Sequence, residues 1–266
     1  AAALVNSANG TLSHFPSKPA GMDDRLYKLG ASGASSGNLS YASWKCGLGY
    51  HLVKAWMNDG DDYNIDRVGH RRWNPPMEKT GFGWVYGSHG TYAAMYAFDN
   101  WYEPTDYYGV AWPAQNMPVE FFGSSYPWSI SMGKDVDKSA VKVTLIRQSD
   151  QKKWAFSEKK ADGYFNVENS NYGQKGCIIF RPENLSYQPG DTFEVKITGL
   201  DQKVSYTVKF FSINSAAESD EKQKESKITA KNITKTFSTT TFSINAKTNG
   251  KGKMTYKVAD EKIATV

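Results

Sequence analysis

The chain reads as an α+β domain followed by an all-β sandwich, and three observations carry that reading. Over residues 1–123, stretches with helical spacing sit beside a short hairpin pattern. Over residues 124–213, helical spacing stops and short alternating apolar runs recur between turn formers. The composition agrees: 16 Tyr, 8 Trp and 23 Gly in 266 residues favour strands and tight turns. A hydrophobic fraction of 39% is enough for real cores. The net charge of +5 is spread along the chain without a Lys/Arg block, which argues against nucleic acid as a partner. No apolar run approaches the ~20 residues of a membrane span.

The elements of the first part follow in order. Residues 1–8 are Ala-rich and read as the tail of a helix, which Asn9-Gly10 stops. Residues 11–37 are punctuated by Pro16, Pro19, Gly21, Gly30, Gly33 and Gly37, so they read as a long loop with one short helix at 22–29. Leu48, Leu52, Val53, Ala55 and Trp56 fall at helical spacing, which predicts an amphipathic helix over 49–58 ended by Gly60. Residues 81–86 and 91–98 read as two strands joined by the turn Gly87-Ser88-His89-Gly90. Residues 107–122 carry Pro113 and Pro118, which restricts them to an edge strand and extended loop.

Beyond them, residues 141–145, 154–156, 164–167, 177–180, 193–197 and 205–210 alternate in the manner of strands. Asp162-Gly163, Pro189-Gly190-Asp191 and Thr198-Gly199 mark turns between them, which predicts a sandwich of immunoglobulin or fibronectin type. Residues 214–226 are charged and free of large apolar side chains, as a solvated linker is. Residues 227–266 alternate again, and forty residues are too few for a complete sandwich, so a third domain is expected to continue past Val266.

One stretch, from Trp56 to Gly83, concentrates titratable groups, turn formers and large aromatics. The two cysteines, Cys46 and Cys177, lie in different expected domains and form no CxxC or Cys/His cluster, so neither a disulfide nor a zinc finger is expected. Of the four histidines, His14 stands in the proline-punctuated loop and His70 in the dense stretch, with Asp59 closing the helix that leads to it. Two imidazoles and a carboxylate brought from separate loops suit a divalent metal with an open position, or an acid/base pair. Trp56 and Trp73 read as core or cleft-wall residues, and Arg71 and Arg72 as partners of Asp59, Asp61, Asp62 or Asp66. Trp101, Tyr102, Tyr107, Tyr108 and Trp112 read as core, with sugar stacking the alternative. No Gly-x-Ser-x-Gly is present, and nothing in the sequence positions a base beside Cys46.

Leu12-Ser13-His14, Asn38-Leu39, Trp56-Met57-Asn58-Asp59, Gly69-His70-Arg71 and Thr80-Gly81-Phe82-Gly83 together resemble the bacterial branch of the CAP superfamily, over roughly the first 120 residues. These are SCP-like relatives of cysteine-rich secretory, antigen 5 and pathogenesis-related proteins. The resemblance implies an α-β-α sandwich whose first helix lies upstream of Ala1. It also implies a cleft in which two His and two Glu converge, sometimes on a divalent metal such as zinc. His14 and His70 match the two histidines, and Asp59 matches one Glu as the shorter acid. Gly37 stands where the other Glu precedes the Asn-Leu pair. Asn38, Trp56, Arg71 and Trp73 would line the cleft. Residues 227–266, ending Lys262-Ile263-Ala264-Thr265-Val266, resemble the first half of a bacterial immunoglobulin-like (group two) domain.

The resulting expectation is an exported Gram-positive protein, at the cell surface or released, with a ligand- or weak metal-binding cleft on spacer modules. It is read as non-enzymatic, with cell-wall glycan or a host surface as partner. The rival expectation is a metal-assisted hydrolase in which His70 is the base and Asp59 its orienter.

Overall fold

The computed structural model describes residues 1–72, 81–96, 109–170, 173–214, 228–229, 243 and 246–248. Its contacts divide the chain into two units, Ala1–Ile213 and Asn214–Val266. The first unit is mixed α and β with strands predominating, distributed over several sheets.

Helix α1 (Ala2–Asn9) ends at Gly10, whose left-handed φ of 67° lets its N–H turn back to the carbonyls of Asn6 and Ser7. Helix α2 (Asp24–Ser36) is longer than the short helix expected at 22–29. Asp23 caps it by accepting the Leu26 N–H at 3.0 Å. Gly30 and Gly33, which read as loop punctuation, lie inside α2 and face α1 instead. A Cβ on Gly30 would fall 2.3 Å from Val5 Cγ2, so a bare backbone is what allows α2 to lie against α1.

Strand β1 (Asn38–Ala42), which has no clear sequence signature, pairs with β3 (Gly90–Tyr96), and β3 pairs with β2 (Gly81–Gly87). The β2–β3 hairpin turns at Ser88-His89, as the glycine spacing predicts. β3 is the central, buried strand, and helices cover the two faces of its sheet. Ala94 and Leu39 meet Ala2 of α1 and Ala34 of α2 on one face. Ala93 and Met95 meet Trp56 on the other. Trp56 belongs to α3 (Leu48–Tyr50), which continues as a π-helical stretch His51–Trp56 where an ordinary helix is expected.

All six alternating runs of the second part are strands: β7 (Lys142–Arg147), β8 (Lys153–Phe156), β9 (Gly163–Glu168), β10 (Cys177–Pro182), β11 (Thr192–Thr198) and β12 (Val204–Phe211). With β4 (Val110–Trp112), β5 (Asn116–Pro118) and β6 (Trp128–Ser131) they form two sheets, ordered β4-β6-β10-β9 and β5-β12-β11-β7-β8. Both proline-flanked strands lie at sheet edges, where a missing N–H leaves no ladder bond unmade. β4 pairs with β6 and β5 pairs with β12, so residues read as the end of the first domain are sandwich strands. Between the sheets Trp128 packs on Phe180, Phe193 and Phe210, and its indole N–H donates to the Tyr187 hydroxyl at 2.7 Å. That bond satisfies the one polar atom this large side chain buries.

In the second unit, β13 (Ile228–Thr229) pairs antiparallel with β14 (Lys247–Thr248). The apolar positions Phe237, Phe242, Ile244, Met254, Tyr256 and Val258 and the linker from residue 215 lie outside the described residues.

Candidate functional site

The dense stretch is folded by two carboxylate-centred turns. Asp61 accepts the Tyr63 N–H and the Asn64 side-chain amide, each at 3.0 Å, which shapes the loop after α3. Asp59, at the end of α3, has a left-handed φ of 47° and a fully buried carboxylate. Its Oδ1 accepts from His70 Nδ1 at 2.6 Å, and its Oδ2 accepts the Arg71 N–H at 3.1 Å. One carboxylate therefore fixes both the imidazole and the backbone of α4 (Gly69–Arg72), where free N–H groups need acceptors. Val68, just ahead, has a φ of 43°, which is unfavourable for a β-branched side chain. Its packing against Cys177 and Ile179 holds that backbone in place. From the opposite side, Asn38 Nδ2 donates to the His70 carbonyl at 2.8 Å.

The hydrogen on Nδ1 follows from this geometry. A carboxylate only accepts, so the His70 Nδ1 carries hydrogen, and in the neutral ring Nε2 then holds the lone pair. The His70 side chain is 29% exposed, and Nε2 has no hydrogen-bond partner among the described residues. His14 is oriented by a different partner: its Nδ1 lies 2.7 Å from the Ala34 carbonyl, which can only accept, so Nδ1 carries the hydrogen. Its loop is pinned by Asn6, whose Oδ1 accepts the Ser13 N–H at 2.6 Å, and by Asn9, which reaches Ser17 O at 2.8 Å.

Several sequence expectations change. Asp59 is not placed as a metal ligand, because both of its oxygens are committed and buried. His14 makes its hydrogen bond with α2 and none with Asp59 or His70. Among the described residues, no group of three or more His, Cys, Asp or Glu side chains can hold a metal ion. Asp61 accepts within its own turn and Asp66 pairs with Arg67 at 3.7 Å. Gly37 is itself closed to an acid: a Cβ there would lie 2.7 Å from Met95 O and 2.8 Å from Gly33 O. The described residues thus do not supply the donor set that the family resemblance implies.

Arg71 and Arg72 are not cleft residues but buried ties to the sandwich. Arg71 Nη1 donates to Pro127 O at 2.7 Å and to Ser129 Oγ at 3.2 Å, and Nη2 bonds the Asn58 carbonyl. Burial lowers the Arg71 guanidinium to about 10, against the opposing pull of the Asp59 charge, so it stays protonated at neutral pH. Arg72 donates to the carbonyls of Gln174, Ser170 and Arg67. Trp56 is wholly buried and donates its indole N–H to Leu39 O at 3.1 Å, which places it in the core rather than at a cleft wall. Trp112 packs partly buried against the sandwich core; Trp73, Trp101, Tyr102, Tyr107 and Tyr108 lie outside the described residues.

One contact escaped the sequence reading altogether. Cys46 Sγ lies 3.4 Å from His51 Nε2, and His51 Nδ1 lies 2.8 Å from Ser40 Oγ. A base therefore does stand beside Cys46. The only sequence signal was a Cys and a His five positions apart where a helix begins, too common a spacing to single out.

No protein-family model matches the chain, and no curated protein matches it.

Proposed function

We propose that the chain is a CAP-like ligand-binding protein, exported to a Gram-positive cell surface, in which His70 is the recognition residue. The observation that carries this reading is the 2.6 Å bond from His70 Nδ1 to the buried Asp59 carboxylate. It holds the imidazole in one orientation, and the neutral ring in the tautomer with Nε2 as a hydrogen-bond acceptor, so a ligand meets a preorganised group. An acceptor held this way suits a hydroxyl donor, and cell-wall glycan supplies such groups in quantity. The sandwich, tied to α4 through Arg71 and Arg72, serves as a rigid support.

Nuclear magnetic resonance titration with soluble cell-wall oligosaccharides tests it. The His70 ring resonances should move on binding, and His70→Ala should abolish the interaction while the fold persists. Binding that survives His70→Ala removes His70 from the recognition role. Zinc titrated by calorimetry should bind weakly at most, through His70 Nε2; tight binding that survives His70→Ala would show a different donor set.

The same bond supports a second reading, a hydrolase in which His70 Nε2 takes a proton from water while Asp59 stabilises the imidazolium. Turnover on peptide, ester or glycan substrates that disappears in His70→Ala would select this reading over passive binding.

A further inference from the structure

The cluster Cys46–His51–Ser40 shares no residue with the Asp59–His70 pair and is arranged like a nucleophile, a base and an orienting group. We propose that Cys46 is a nucleophilic thiol activated by His51, and that it accepts acyl groups from activated esters or thioesters.

Each member is held in place by an independent contact. The Cys46 N–H donates to Thr91 Oγ1 at 3.1 Å, and the Thr91 hydroxyl donates to Trp44 O at 2.8 Å, which ties the Cys46 backbone to β3. His51 is fully buried; it meets the Tyr50 ring edge-on and packs against Trp56, so its ring cannot turn away from the sulfur. Ser40 is buried in the middle of β1 and fixes the other ring nitrogen. With Nδ1–H donated to the Ser40 hydroxyl, the Nε2 lone pair faces Cys46 Sγ at 3.4 Å, an S–H···N hydrogen-bond separation. Burial also lowers the His51 pKa, which keeps the ring neutral and able to accept a proton near neutral pH.

Cys46 itself is partly exposed, so a small electrophile can reach it. The other cysteine makes the contrast. Cys177 is wholly buried, packed on Val68 and Ile179, and desolvation raises its thiol pKa. It is the inert thiol of the pair.

The step balances without an added redox partner. The Cys46 S–H proton passes to His51 Nε2 as Sγ forms a bond to the carbonyl carbon. The bond from that carbon to the leaving oxygen or sulfur breaks, and the leaving group departs with its electron pair. The proton on Nε2 then goes to the leaving group or to solvent, and Cys46 holds the acyl group as a thioester.

The test uses the whole chain with p-nitrophenyl acetate at pH 7, reading nitrophenolate release and locating the acetyl group by peptide mass spectrometry. The reference is the same chain unfolded in urea, where both cysteines are ordinary thiols with a pKa of about 8.5. Native Cys46 should be acetylated at least about tenfold faster than that reference, since a positioned base contributes on the order of 100-fold or more. Cys177 should remain unmodified. His51→Gln should bring Cys46 down to the reference rate or below it, and Ser40→Ala should give an intermediate rate. Should His51→Gln fail to fold, Ser40→Ala and the wild-type pH profile decide: with the proton passing to His51, whose pKa burial lowers, the rate should follow deprotonation of that ring and so rise with a midpoint below that of the unfolded chain. A native rate no faster than the unfolded one, a rate unchanged by both substitutions, or a midpoint equal to the reference overturns the proposal.

Discussion

Asp59 and His70, eleven residues apart, share a 2.6 Å hydrogen bond in which the carboxylate is fully buried and the imidazole reaches the surface. The arrangement makes Asp59 a positioning residue. Its second oxygen holds the Arg71 N–H, so orientation of the ring and closure of α4 depend on one side chain.

Asp59→Asn should therefore disturb both. An amide cannot accept at both positions, and the neutral residue no longer faces the Arg71 charge. Stability should fall by roughly 1–3 kcal/mol, read by urea denaturation. The His70 ring should also lose its preference for Nδ1–H, read from its nitrogen chemical shifts. An unchanged tautomer would mean that another group sets the ring.

Arg71→Met should be more costly, by about 3–5 kcal/mol, because it leaves the Asp59 carboxylate buried without its opposing charge. The carbonyls of Pro127 and Asn58 lose their donor at the same time. Combining it with Asp59→Asn should cost less than the two effects summed, since the second change removes the stranded charge. Strict additivity in a double-mutant cycle would show that the two charges do not interact.

Restoring the missing acid by Gly37→Glu should damage the fold rather than build a site. Gly37 has a φ of −120°, so the obstacle is contact with the Met95 and Gly33 carbonyls and not a left-handed backbone. Overpacking of this kind costs typically ~1–3 kcal/mol. The variant should melt earlier than wild type and bind zinc no better; a gain in zinc affinity would show that the backbone yields.

The buried His51 imposes a pH dependence. Its folded-state pKa is lowered by burial from the ordinary value of 6.5, so just below 6.5 the unfolded chain binds a proton that the folded chain does not. Its contribution is present above 6.5 and is lost as pH falls from 6.5 through the lowered folded-state value. Melting temperature should drop across that window, and His51→Gln should flatten that part of the profile. A wild-type profile that is level there would contradict a buried neutral ring.

Local pattern was enough for much of the architecture. The β2–β3 hairpin, the helix stop at Gly10, the six alternating strands and the edge placement around Pro113 and Pro118 each follow from neighbours in sequence. So did the choice of His70 and Asp59, because a closing acid and a histidine in one dense loop are legible as a pair. The extent of α2 was not legible, since Gly30 looks like a breaker until α1 is seen lying against it.

What the sequence by itself determined, then, is where this chain makes strands and turns and which short stretch carries an Asp–His pair. Tertiary structure decided what the neighbouring groups do. Arg71 and Arg72 spend their hydrogen bonds on backbone carbonyls, several of them in the sandwich, while Arg71 still feels the Asp59 charge; buried carbonyls left by irregular chain need donors that no local residue supplies. His14 binds α2, and Cys46 finds His51 and Ser40 only because β1, β3 and the π-helical stretch converge. Those partners come from different elements of the fold, and spacing along the chain does not encode the distance between them.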